Sequence, residues 1–257
     1  MRSKGSDGGI SAWVRTRGHE LALRGGYEVR RFDSRRTMMA RRLLVMERDA
    51  VDLVLDVGAN RGQWGADIRA AGFKGPMVSL EPLAEPFTQL VGRSESDAGW
   101  SCRRMALGEE TGTAAINVSG NLVSSSMLPM TERHRSSAPG SAPIGTEEIS
   151  ISRLDEIAGD LLEEAENVYL KLDVQGFELH ALRGAEGTLP RVRAIEVELS
   201  LVELYEGQPL LSEVFEHLRA RGYDCISLEP GFVSRESGYL MQADGLFLRG
   251  GGASPGQ

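Results

Sequence analysis

From Asp52 onward, short runs of β-branched and leucine residues alternate with longer stretches whose apolar positions recur every three or four residues. That alternation is the pattern of strands and helices feeding a parallel sheet. The apolar runs predict strands over 52–57, 77–81, 101–104, 168–173, 193–199, 224–229 and 243–248. The amphipathic stretches predict helices over 62–71, 84–93, 153–164, 177–189 and 210–221, each connecting successive strands by a right-handed crossover. Ahead of the first strand, Met38, Met39, Leu43, Leu44 and Met46 recur at helical spacing, so a helix leads into the sheet. The expected fold is α/β, a doubly wound and mostly parallel seven-stranded sheet with an N-terminal helix.

The segment 112–151 breaks this rhythm. Thr113 to Val118 and Glu147 to Ile151 read as β, and a Ser-, Pro- and Gly-rich stretch from Ser136 to Gly145 lies between them. A polar insertion of this length in a compact domain is expected to act as a lid or substrate loop. The organisation is then a lead segment over 1–35, one catalytic domain over 36–249 carrying the lid-like insertion, and a tail over 250–257. A chain of 257 residues suits one such domain better than two.

Charge narrows the partners. A net charge of −8 argues against wrapping a phosphate backbone, which needs clustered cations. The local exception is the basic stretch of Arg30, Arg31, Arg35, Arg36, Arg41 and Arg42, which reads as solvated or as a site for an acidic partner. Cys102 and Cys225 stand far apart with no Cys or His at ligand spacing, so neither a disulfide framework nor a zinc site is indicated and a reducing compartment fits. No apolar run reaches the roughly 20 residues of a membrane span and no signal-like stretch opens the chain. The expectation is a cytoplasmic protein without nucleic-acid or membrane partners, with a homodimer left open.

Chemistry concentrates in residues 51–64, where a strand ends at Asp56 and runs into Gly58, Asn60 and Gly62 before a helix. In open α/β sheets ligands bind beyond the carboxyl ends of strands, and glycines there let the backbone approach them. Asn60 stands where a dinucleotide fold needs its second close-approach glycine, which makes a pyrophosphate less welcome. A nucleoside without phosphates, such as the adenosyl part of S-adenosylmethionine, tolerates a polar side chain there, with Asp56 and Asn60 meeting its amino-acid end. Glu81 closes the second strand, where its carboxylate accepts from ribose hydroxyls; the same geometry serves a nicotinamide dinucleotide or a helix cap.

DVGANRGQW, the SLEP tetrad at 79–82, MALG at 105–108, SSSM at 124–127, YLKLDVQGFELHALRGA at 169–185 and IEVELS at 195–200 together resemble the FkbM family of methyltransferases. The resemblance covers roughly residues 50–248 and implies a class I, Rossmann-like fold and S-adenosylmethionine as methyl donor. It also implies methylation of oxygen on sugars, polyketides and other secondary metabolites, and a place for Ala106 against the adenine. Gln175 departs from the family pattern, where many relatives carry Glu.

Methyl transfer to an alcohol needs an oriented acceptor and a group to take its proton, or a metal that acidifies the hydroxyl. Asp173 closes the strand YLKLD beside the expected cleft and is the first candidate, as base or as a contact to the donor; a helix cap is the bland reading. An ordinary Asp is a weak base toward an alcohol, so it would act better in a dry pocket or as a ligand. Glu196 and Glu198 share a face of the next strand, and Asp173 with Glu198 offers oxygen donors to Mg²⁺ or to substrate hydroxyls. Of the histidines, His134 in the insertion is the candidate that a loop brings over the substrate, ahead of His180; His19 and His217 do not look catalytic. Asn121, Ser124, Ser125 and Ser126 suit a polar acceptor, the donor's amino-acid end, or plain turn chemistry. Tyr205 reads either as a flat wall of the acceptor pocket or as an ordinary loop aromatic.

The leading reading is O-methylation of a small hydroxylated metabolite. N-methylation on the same scaffold is the near alternative. A nicotinamide-dependent reductase predicts glycine at position 60 and a Tyr-x-x-x-Lys pair, which the chain lacks; a noncatalytic interaction module would not need Asp56, Gly58, Gly62, Glu81 and Asp173 together.

Overall fold

The computed structural model describes residues 20–22, 24–27 and 37–250. Arg30, Arg31, Arg35, Arg36, His19 and residues 1–18 and 251–257 lie outside them. Thr37 opens the first helix described after it, α1 (Met38–Arg48), by accepting a hydrogen bond from the Ala40 amide at 3.2 Å. The alternating units follow: β1 (Leu53–Val57), α2 (Gln63–Ala71), β2 (Met77–Leu80), α3 (Ala84–Ser94) and β3 (Trp100–Arg103). After an insertion come α5 (Leu154–Leu162), β7 (Val168–Leu172), α6 (Glu178–Arg183), β8 (Val192–Ser200), α7 (Leu211–Ala220), β9 (Tyr223–Pro230) and β10 (Gln242–Arg249). The seven strands pair in the order β3-β2-β1-β7-β8-β10-β9, parallel except for β10, which inserts antiparallel between β8 and β9.

Both faces are covered, which is why β1 and β7 are buried at every position. One face packs Leu55, Leu170 and Ile195 against α5, α6 and α7, through Leu154, Leu182 and Val214. The other packs Val54, Tyr169 and Leu246 against α1, α2 and α3, through Met46, Ile68 and Leu90. The α2 contact is unusually close: a Cβ on Gly65 would lie 2.5 Å from the Trp100 ring.

The insertion is a folded wall. β5 (Gly112–Ser119) and β6 (Pro143–Ser152) pair antiparallel, and β6 pairs with β4 (Ala106–Leu107) in a second sheet of order β4-β6-β5. Between β5 and β6 the polar stretch contains α4 (Glu132–Ser137). A small apolar cluster of Leu83, Ala106, Ile116 and Ile149 seats this sheet beside the carboxyl ends of the main strands. The expected helix over 177–189 is cut to α6, and just past its end Gly184 abuts the Gly108 carbonyl so closely that a Cβ would come within 1.8 Å of its oxygen.

Glu196 belongs to the scaffold. Its carboxylate accepts from Arg42 on both oxygens, from the Tyr169 hydroxyl at 2.6 Å and from the Trp64 indole at 3.2 Å, tying α1 and α2 to the sheet. The Arg42 side chain is 13% exposed and that of Glu196 3%. Removing one partner of such a buried pair strands the other charge. Glu196→Ala is expected to cost about 3–5 kcal/mol, lowering the thermal midpoint by about 10 °C in calorimetry.

Candidate active site

The sheet order reverses between β1 and β7, the topological switch point at which open α/β sheets bind ligands. There the chain leaves β1 through two left-handed residues, Gly58 at φ 76° and Asn60 at φ 50°. The amides of Gly58 and Ala59 both donate to the Leu80 carbonyl at 3.0 Å, which fixes the turn against the end of β2. A Cβ on Gly58 would stand 1.9 Å from the Asp173 carbonyl oxygen. The bare position is therefore demanded by the protein's own backbone, and it forms the floor of a cleft of about 620 Å³, open mouth included.

One wall of that cleft is Glu81, 4% exposed. Its Oε2 accepts from the Asn60 amide at 2.8 Å and its Oε1 from the Leu83 amide at 2.9 Å. Burial pushes its pKa up to about 7, although the two amides pull the other way. A carboxylate offers about four acceptor positions, so about two remain for a ligand. Asn60 also lines the cleft and donates its side-chain amide to the Leu122 carbonyl at 3.1 Å, joining the turn to the insertion. Leu83, Met105, Ala106, Ile116 and Met127 supply an apolar slot, and Ser125 lies at the same rim.

Two expected cradle residues stand elsewhere. Asp56 is fully buried under the strands, accepting from the Ser79 hydroxyl at 3.2 Å and lying 3.5 Å from the Lys171 ammonium, away from the cleft lining. Burial raises its pKa, with Lys171 opposing. Gly62 begins α2, and a Cβ there would meet Leu90 at 2.8 Å and Trp100 at 3.3 Å; its bareness serves packing.

Asp173 sits one residue past β7 on the opposite side of the cleft, its side chain 40% exposed. Its Oδ1 accepts from the Gln175 amide at 2.9 Å and its Oδ2 from Lys171 at 3.4 Å. Burial alone would lower the Lys171 pKa; Asp173 and Asp56 outweigh it and hold the ammonium above its ordinary range. The next carboxylate, Glu198, accepts from Gln175 at 3.0 Å and from Gln242 at 2.6 Å, and burial followed by the nearby Asp173 charge raises its pKa well above the usual range. Asp244, directly across from Glu198 on β10, is raised to about 6 by burial and by Asp173. Glu178 braces the Asp173 turn by accepting the Val174 and Gly176 amides, each at 3.1 Å.

Glu198 is not among the residues lining the cleft, and its Oε2 is held by two amide donors, which fits neither the expected direct role at the acceptor nor the expected share in a Mg²⁺ site. Among the described residues no group of three His, Cys, Asp or Glu side chains is arranged to hold a metal. His134 is also misplaced by the sequence reading. It lies within α4, 3% exposed, edge-on to Tyr205 at 5.0 Å between ring centres, and it is not among the residues lining the cleft. Burial lowers its pKa, as befits a packed aromatic. Tyr205 is fully buried and offers no open face; its hydroxyl donates to Gln175 Oε1 at 2.7 Å. His180 stacks on Phe177 at 4.2 Å beside Glu109. Asn121 and Ser124 form a turn of their own, while Ser126 donates to the Gln175 carbonyl at 2.6 Å.

Sequence reasoning passed over Lys171, Gln242 and Asp244. A lysine inside the apolar run VYLKLD was the available signal, since a lysine buried in a strand needs counter-charges. Gln242 and Asp244 reach the site only through the antiparallel pairing of β10 with β8.

The sequence profile described as the Methyltransferase FkbM domain matches residues 56–225, which spans the β1 turn, Glu81, the insertion wall and Asp173. The chain belongs to the FkbM methyltransferase family. Three solved structures are similar in outline: the human methyltransferase 10 domain containing protein (10% identity, 93% of this chain, 97% of that one, TM-score 0.42), the ribosomal protein L11 methylase from Lactobacillus delbrueckii subsp. bulgaricus (8%, 82% and 77%, 0.42) and the Burkholderia thailandensis 1,6-didemethyltoxoflavin-N1-methyltransferase with bound S-adenosylhomocysteine (11%, 97% and 93%, 0.42). Likeness this low says nothing of this chain's acceptor. A search of curated proteins gave no match.

As an FkbM methyltransferase the chain is an S-adenosylmethionine-dependent enzyme with a Rossmann-like α/β fold. The cleft fits that donor: a bare turn at Gly58, a buried carboxylate with acceptor positions to spare for hydroxyls, and an apolar slot for a flat ring. No helix among the described residues is long and apolar enough to cross a membrane.

Proposed function

We propose that this methyltransferase transfers the methyl group to a hydroxyl of a small metabolite of the sugar, glycoside or polyketide type. The observation that carries the reading is Asp173: a carboxylate at the carboxyl end of β7, within the cleft lining, held by an amide on one oxygen and an ammonium on the other while its side chain stays 40% exposed. Bound S-adenosylmethionine supplies a methyl group activated by its sulfonium. Glu81 would accept from the ribose hydroxyls, Ala106 and Leu83 would flank the adenine, and Ser125 with the Asn60 turn would border the rest of the donor. Asp173 would take the acceptor's proton while the acceptor oxygen displaces the methyl group from the sulfonium, the C–S electron pair leaving with S-adenosylhomocysteine. A panel of hydroxylated and amine compounds incubated with label-bearing donor tests this reading: label on oxygen is expected, and label on nitrogen alone would overturn it.

Glu81 makes donor binding pH-dependent. Its pKa of about 7 in the free protein means that a proton must leave before both oxygens accept from hydroxyls. The dissociation constant is expected to rise as pH falls from 8 to 6, approaching tenfold per unit below about 7; titration calorimetry reads it. Glu81→Gln should flatten the profile and weaken binding by roughly 10- to 100-fold. For stability the sign is the reverse of the usual carboxylate case. The native state holds the proton longer than the unfolded chain, so this group's contribution is complete below about 4.5 and is lost as pH rises through about 7.

A further inference from the structure

Asp173 and Glu198 present oxygens of the kind that a divalent cation takes, yet the position joining them is filled by an amide. Gln175 Nε2 donates to Asp173 Oδ1 at 2.9 Å and to Glu198 Oε2 at 3.0 Å, which uses both of its hydrogens. Behind the amide, its Oε1 faces the buried Tyr205 hydroxyl at 2.7 Å, whose single hydrogen it shares with the Ser124 carbonyl at 3.0 Å. The residue itself is clamped: 9% exposed, held at φ 53°, with its main-chain carbonyl accepting from Ser126 at 2.6 Å. The remaining donors to the pair are also nitrogens, Gln242 on Glu198 at 2.6 Å and Lys171 on Asp173 at 3.4 Å.

We propose that Gln175 is a positioning residue whose amide does in this chain what a bridging Mg²⁺ would do, tying Asp173 at the cleft to Glu198 behind it so that transfer needs no divalent cation. The inference rests on the reading of this cleft as the methyl-transfer site. Its chemistry is that of the donor set. Mg²⁺ requires near-octahedral oxygen ligands at roughly 2.0–2.1 Å, so to bridge the pair it must expel the amide nitrogen from between them. The Lys171 charge beside Asp173 opposes the same step. Gln175→Glu conserves shape and removes both bridging hydrogens, bringing a third carboxyl group against two others that keep only Gln242 and Lys171 as donors. That arrangement invites the cation which the wild-type residue displaces.

The test uses the full chain as wild type, Gln175→Glu, Asp173→Asn and the double variant, titrated with Mn²⁺ and followed by electron paramagnetic resonance, with and without S-adenosylhomocysteine. Wild type is expected to leave Mn²⁺ free up to about 1 mM, the weak end of biological oxygen sites. Gln175→Glu is expected to bind one Mn²⁺ at least tenfold more tightly than wild type, and the double variant to lose it. One Mn²⁺ bound by wild type and lost in Asp173→Asn would overturn the proposal, as would a Gln175→Glu protein that melts normally and binds none. If Gln175→Glu does not fold, the comparison of wild type with Asp173→Asn decides by itself, silence toward Mn²⁺ in wild type supporting the proposal. Failure of S-adenosylhomocysteine to bind wild type would count against the donor cleft instead, and the ligand-free Mn²⁺ titrations still read the amide's role.

Discussion

Gly58→Ala will weaken methyl-donor binding by roughly 100-fold or more and stop turnover with it. The added Cβ would lie 1.9 Å from the Asp173 carbonyl oxygen and 2.8 Å from its carbon, contacts with main chain that no rotamer relieves. At φ 76° the left-handed backbone adds a cost of about 1–2 kcal/mol for any residue with a Cβ. The only relief is to part the exits of β1 and β7, which moves the floor of the donor cleft and carries Asp173 away from the acceptor. Displacements near 1 Å at a reacting centre cost about 100-fold in rate. Titration calorimetry and a thermal melt check this, and a variant that binds donor normally would show that the floor has been wrongly drawn.

Asp173→Ala is expected to lower turnover by about 10²- to 10⁴-fold, the range for a positioned proton acceptor, while donor affinity changes only a few-fold. The separation matters because Asp173 and Glu81 stand on opposite sides of the cleft and are held by different partners, Lys171 and Gln175 for the one, Asn60 and Leu83 for the other. Lys171 keeps Asp56 at 3.5 Å as counter-charge, so the variant is expected to fold. Single-turnover transfer of label, set beside a calorimetric titration, distinguishes this outcome from a loss of donor binding. Unchanged turnover would remove Asp173 from the chemistry.

The strand-turn-helix at 51–64, the acid ending the second strand and the carboxylate ending YLKLD were legible because each depends on local order: a strand, its carboxyl end and the residue that follows. Residues whose role depends on what lies beside them were not. Asp56 reads as a cleft residue from its place at a strand end, but β1 is covered on both faces and its parallel register sets Asp56 against Lys171 of β7, which draws the carboxylate inward. Glu196 and Glu198 share a face and a chemistry, and their neighbours separate them: Arg42, Trp64 and Tyr169 hold the one, Gln175 and Gln242 the other. His134 sits in a polar stretch that reads as loop; Thr131 caps it into a helix by accepting from the His134 amide at 3.3 Å, and the ring packs among Tyr205 and Phe232. The strand order was equally out of reach, because periodicity predicts that 243–248 is a strand without saying that it enters between its two predecessors. Gln175 was visible as a departure from its family, but its meaning required seeing both carboxylates at once.

The central claim is that the Gly58 floor and the Glu81 wall bind the methyl donor. The direct measurement is a calorimetric titration of the 257-residue chain with S-adenosylmethionine at pH 8, repeated with Glu81→Gln. The account predicts one donor per chain, bound by wild type and weakened roughly 10- to 100-fold by the substitution. Absence of binding to wild type, or equal binding to both proteins, would contradict it.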